Sequence, residues 1–226
     1  MVLRALPLLA GIGPIIAIHV SYWVAITQVG LTRCIPYIEG CTSISATGRY
    51  PPASFVFKGA MMPDSVILAA YWLLNIAWLR ALQRSQAKPV DDGFVIGFLG
   101  ITGAAFLILY VSFLGSKEPF YEFMRRFGVY VYFAFTVFSQ IVLAVKVRKL
   151  VLPRSVHRIV NAQLAIALVP FALGILNLVL KATLENADPA ENVIEWIFAL
   201  LMHVYFVLTY FAWRDTGFNA KFAVTT

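Results

Sequence analysis

The chain has 226 residues, of which 61% are hydrophobic and 13% charged, and its net charge is +7. That balance excludes an ordinary soluble domain, in which charged residues make up about a quarter of the chain. The basic residues are scattered along helix ends, which excludes a nucleic-acid surface and suits orientation in a membrane against anionic lipid head groups.

An apolar run of about 18 or more residues reads as a membrane-spanning helix, because about 20 residues cross a hydrocarbon core. Six runs qualify, at 6–28, 63–82, 94–114, 127–147, 159–180 and 194–213. They are continuous rather than alternating, so a β-barrel is excluded and an all-α bundle of six transmembrane helices is predicted. One unit covers 1–226, since no connection beyond the first is long enough for a separate domain. The first run follows Arg4 as a signal peptide would. Its length, and the lack of a small-x-small site before Gln28, predict a retained span.

A polar loop of about thirty residues separates the first two spans and holds both cysteines, Cys34 and Cys41. They are either a disulfide or a pair of reduced thiols. Within the loop, Thr47-Gly48-Arg49 reads as a turn and Pro51-Pro52 as a stiff extended segment after it. Arg49 and Lys58 then lie among head groups, where a guanidinium holds phosphate through two hydrogen bonds. Phe55 and Phe57 dip into the interface between them. Asp64, after Pro63, is expected in the first turn of the second span, where the helix dipole favours a carboxylate.

Gly97, Gly100 and Gly103 recur at three-residue spacing along the third span and read as a helix-packing stripe. Pro170 falls inside the fifth span and is expected to kink it. Asp188, Pro189 and Glu191 mark a clean start for the sixth helix. Trp196 and Trp213 bracket that span, as an aromatic belt does.

Lys and Arg total 11 on one side, counting Arg4, Arg214, Lys221 and the loops before the third and fifth spans, against 7 on the other. The positive-inside tendency places both termini in the cytoplasm and the long first loop outside. The loop with Lys146, Arg148, Lys149, Arg154 and Arg158 supplies most of the difference.

Ionisable and polar side chains at bilayer depth are costly and mark function or interhelical bonding. His19, His203 and Asn75 fall near mid-span. They read either as a polar pocket with Glu195 and Asp64 towards its mouth, or as hydrogen bonds holding the bundle together. In the first case His19 and His203 are acid/base candidates acting on an ester. A zinc site is disfavoured: the third histidine, His157, lies at the far edge of the bilayer, and no metal-ligand spacing occurs. There is no nucleophile elbow, Walker loop or dinucleotide fingerprint, and no cofactor is expected.

Residues 43–57, which include Ser43, Ser45, Thr47, Gly48, Arg49, Pro51, Pro52 and Phe57, are followed by Gly59-Ala60-Met61. This segment resembles the first-loop signature of the DRAM/FRAG/Sfk family, which includes damage-regulated autophagy modulators and GPI-anchor lipid-remodelling factors. Six spans, cytoplasmic termini and the acidic-aromatic pair Glu195-Trp196 agree with that resemblance. Two positions depart from it. Ala46 stands where many relatives have aspartate, and Arg125-Arg126 precede the fourth span where many have histidine. The resemblance implies an integral membrane protein, of a bacterial inner membrane or a eukaryotic endomembrane or plasma membrane. It also implies lipid-linked work, either remodelling of a lipid or lipid anchor, or a non-catalytic adaptor role. The expected partners are membrane lipids and a membrane or cytoplasmic protein.

Overall fold

A computed structural model describes residues 2–184 and 186–219; Lys221 of the charge balance lies outside the described residues. The described residues contain helices and no strand. Six helices are long and apolar enough to cross a membrane. The helices are α1 (Leu6–Val24), two one-turn helices α2 (Pro36–Glu39) and α3 (Ile44–Thr47), α4 (Ala53–Ser85), α5 (Phe94–Ser112), α6 (Pro119–Arg148), α7 (Arg154–Thr183) and α8 (Asp188–Asp215).

Hydropathy locates each span but not its ends. α4 begins ten residues before its apolar run, and α6 eight residues before. Polar residues at bilayer edges continue a helix as readily as apolar ones, because all its backbone bonds stay internal. Two expectations change as a result. Pro63 lies inside α4, so Asp64 sits three turns down the helix and buried, not in a first turn. Pro51-Pro52 form a turn containing a cis peptide bond that leads straight into α4, rather than an extended segment. α7 runs unbroken through Pro170.

The six long helices form a closed ring: each packs on its neighbours in chain order, and α8 returns against α1. Both ends of the chain therefore meet, with Arg4 Nε donating to the Phe218 carbonyl at 3.3 Å. Lipid gives no hydrophobic drive between helices, so close packing and hydrogen bonds must hold them together. Close approach is visible where α5 meets α4: a Cβ on Gly100 would lie 2.2 Å from the Trp72 ring. The glycine stripe is a packing face as expected, Gly97 and Gly100 meeting α4 and Gly103 meeting Thr136 of α6. Polar bonds cross the interior. Tyr71 and Gln163 both bond Thr209 at 2.8 Å, Tyr205 donates to the Gln140 carbonyl at 2.7 Å, and Gln140 donates to the Met202 carbonyl at 3.0 Å.

Trp196 and Trp213 are almost wholly buried and face the ring interior, so they are not an aromatic belt. At the end that carries the chain termini, the α4–α5 connection is clamped to α6. Asp91 forms an ion pair with Lys146, and Arg80 donates to the carbonyls of Asp91 and Asp92. The Lys146 ammonium holds the Asp91 carboxyl below the usual carboxylate range, against the opposing effect of burial.

Candidate functional site: a charged cleft beneath the long loop

The loop between α1 and α4 is a built cap. Cys34 and Cys41 are joined as a disulfide. Tyr22 of α1 receives a hydrogen bond from the Cys34 amide at 2.9 Å. Two side chains of α8 hold the other side of the loop: Asn192 donates to the Gly40 carbonyl at 2.8 Å and Trp196 to the Thr42 carbonyl at 2.9 Å. The approach is close, since a Cβ on Gly40 would lie 1.9 Å from the Pro189 carbonyl oxygen. In physical terms, the cap satisfies its own carbonyls with indole and amide donors from the last helix.

The signature residues complete this cap. Ser43 caps α3 by accepting from the Ala46 amide at 3.1 Å. Thr47 is fully buried and donates to the Ile44 carbonyl at 2.7 Å. Gly48 lies flat on Phe57, with its missing Cβ placed 2.4 Å from the ring. Phe57 in turn is buried edge-to-face on Tyr110, whose hydroxyl bonds Ser45 at 2.9 Å. Pro51 and Pro52 turn the chain into α4. Phe55 points outward at 70% exposure, whereas Phe57 is core.

Beneath the cap, α6, α7 and α8 part around a cavity of about 420 Å³. Its rim carries Arg49, Arg125, Arg126 and Lys181 with Glu191 and Glu195, and Ser43, Ser45 and Asn177 add neutral polar groups. Its lower walls are apolar and aromatic: Val129, Tyr130, Phe133, Phe198 and the bare backbone of Gly174. Some charges are already matched. Glu122 pairs with Arg125 at 3.3 Å and Arg126 at 2.6 Å. Glu191 pairs with Lys181 at 2.5 Å and accepts from Asn177 at 3.1 Å. The amides of Ile44 and Ser45 face Glu195. Arg49 differs, since its Nε is buried with no hydrogen-bond partner among the described residues.

A second, smaller chamber of about 30 Å³ lies below, sharing Val129, Phe133 and Glu195 with the cleft; His203 lines it. His203 is buried, with Nδ1 2.6 Å from the Ala199 carbonyl and Nε2 without a partner among the described residues. The chamber has room for about one water.

The predicted site residues are thus divided. Arg49 and Glu195 line the cleft, with Ser43 and Ser45 of the signature, and His203 lines the chamber below. His19 does not join His203. It is exposed on the outer face of α1, stacked on Tyr37, with Nε2 3.2 Å from the Tyr37 hydroxyl. Burial raises the Tyr37 phenol above its ordinary value, so it stays a neutral partner. The physical reason for the miss is depth as well as rotation: His19 lies level with Trp196 and the cap, whereas His203 lies level with Gly11, eight residues away along α1. Asn75 is buried, lines neither cavity, and donates to the Tyr71 carbonyl of its own helix at 2.9 Å, a bond that ties no second helix. Lys58 and Asp64 lie on α4 and line neither cavity.

Missed by sequence reasoning were Asn177, Lys181, Glu191 and the wall residues. Asn177 carried a signal, being an amide inside an apolar run. Glu191 and Glu195 also recur at four-residue spacing on one face of α8. Arg125 and Arg126, at the position that departs from many relatives, form part of the rim. Among the described residues no group of three or more His, Cys, Asp or Glu converges as a metal site would require.

A six-helix membrane protein with a cleft under a disulfide-tied cap is the class this geometry defines. Residues 2–216 match the family model described as the Frag1/DRAM/Sfk1/Cwh43P N-terminal domain, and the chain belongs to that family. No curated protein and no solved structure matches it.

Proposed function

We propose that this protein binds a membrane lipid by its head group in the cleft, and that it acts in remodelling or homeostasis of a lipid or lipid anchor. The observation that carries the reading is the buried Arg49 Nε, without a hydrogen-bond partner among the described residues, in a cavity whose rim carries four cationic side chains beside Glu191 and Glu195 and whose walls are aromatic. Arginine is well suited to phosphate through its planar fork of donors. Orientation follows the charge balance, with both termini cytoplasmic and the cap outside, which puts the cleft in the outer leaflet. A catalytic form of the reading assigns acid/base work to His203, the one intramembrane histidine that lines a chamber joined to the cleft.

The experiment is lipid retention by the purified chain, read by native mass spectrometry. Arg49→Gln removes a charge-assisted contact and lowers retention of anionic phospholipid about tenfold. Arg33→Gln, on an exposed loop residue, leaves it unchanged. Equal retention by both variants refutes the head-group site. The catalytic form is tested separately: His203→Gln, at normal abundance, changes the cellular lipid profile, and an unchanged profile refutes it.

A second reading rests on the opposite end of the bundle. Arg148, Lys149, Arg154 and Arg158 are all exposed around one short turn. This patch suits an acidic partner protein in an adaptor role. Recovery of a partner that is lost on Arg148→Ala/Lys149→Ala/Arg154→Ala and kept on Arg49→Gln favours that reading.

A further inference from the structure

The cleft is more than a basin under the cap, because α6 and α7, two of the apolar helices long enough to cross a membrane, both line it. α6 and α7 are consecutive helices joined by a short turn at the end remote from the cap. At the cap end they stand on opposite sides of the cavity. The polar bonds there tie α7 to α8, through Lys181 and Asn177 to Glu191. Among the described residues no side-chain hydrogen bond or ion pair ties α6 to α7, so this seam parts without breaking one.

The seam is graded along its depth. Arg126 and Lys181 stand at the rim, and seven residues further into the bundle on the same helices come Phe133 and Gly174. At 1.5 Å per residue the drop is about 10 Å. A charged edge therefore gives way, about 10 Å inward, to an apolar-lined slot. Gly174 lines the slot with no side chain, at an exposed point of α7 where a Cβ would meet no atom within 4 Å. Across from it Tyr130 is 65% exposed, at the mouth of the slot.

Resting on the head-group reading, we infer that the α6/α7 seam is a lateral portal. Through it an anionic glycerophospholipid passes sideways from the leaflet, its phosphate held at the rim and one acyl chain lying past Gly174. The occupant is an amphiphile rather than a soluble phosphate ester, because a soluble ester leaves the apolar lower walls unmatched. Gly174 is then a specificity-determining residue, admitting a chain where any larger side chain would fill the slot.

The test uses the full chain in phosphatidylcholine vesicles carrying phosphatidylserine, with retained phosphatidylserine counted by native mass spectrometry after extraction. Gly174→Trp and Gly174→Leu meet no clash and are expected to fold. Each lowers retention about fivefold or more. Gly13→Trp, on the exposed face of α1 where a Cβ also meets nothing, stays at the wild-type level. Water-soluble glycerophosphoserine does not displace the bound lipid. Wild-type retention by both Gly174 variants, with loss in Arg49→Gln, overturns the portal and keeps the head-group reading. Retention in Arg49→Gln as well overturns the head-group reading. Displacement by glycerophosphoserine overturns the acyl slot.

Discussion

Replacing Trp196 with phenylalanine isolates one bond between the last helix and the cap. The indole is fully buried, meets His19, Tyr22 and Tyr37 edge-on, and donates to the Thr42 carbonyl. Phenylalanine keeps an aromatic ring but removes the donor and part of the volume. A lost bond that leaves a buried carbonyl unsatisfied costs about 1–3 kcal/mol. For a chain of this size each kcal/mol shifts the midpoint by about 2–4 °C, so a fall of about 2–12 °C is expected. The assay is the apparent unfolding midpoint in detergent by intrinsic fluorescence at one fixed scan rate. Trp23→Phe is the control, since Trp23 is 63% exposed on α1 and its indole has no bond to the cap. Trp196→Ala should fall further, because truncating a buried tryptophan costs about 3–5 kcal/mol. If Trp196→Phe and Trp23→Phe shift the midpoint equally, the account of how the cap is docked is wrong.

Other outcomes follow from the same contacts. Asp91 has its pKa lowered by Lys146, so its stabilisation is complete above the ordinary carboxylate value and is lost as pH falls through the lower folded value. The midpoint gap between wild type and Asp91→Asn should therefore close on acidification below about pH 4, and a gap that is constant with pH refutes it. Gly48→Ala drives a methyl into the Phe57 ring and should cost about 1–3 kcal/mol, read as a lower midpoint. Cys34→Ser/Cys41→Ser opens a closed loop with a sequence separation of 7 and should cost about 2–3 kcal/mol. Thiol labelling of the wild type should occur only after reduction.

Six spans could be read from the chain because apolar length is a one-dimensional property. So could the glycine stripe and the start of α8, where local chemistry decides. The cleft was only partly legible. Arg49 and Glu195 stood out as charges next to apolar runs, but Lys181, Glu191 and Asn177 acquire their role from the way α7 leans on α8. His19 and His203 differ in both depth and direction, because an apolar run fixes neither the tilt of a span nor its rotation. Trp196 shows the same limit: an interfacial tryptophan and a buried one sit at the same height on a helix, and the nearest unsatisfied carbonyl, here that of Thr42, decides which way the ring turns.

Because Thr47, Gly48 and Phe57 are committed to sealing the lid, the stretch by which relatives are known reports architecture more than chemistry. Two chains can carry the same seal over chambers furnished differently. Kinship would then pass down the vessel and leave its contents free to change.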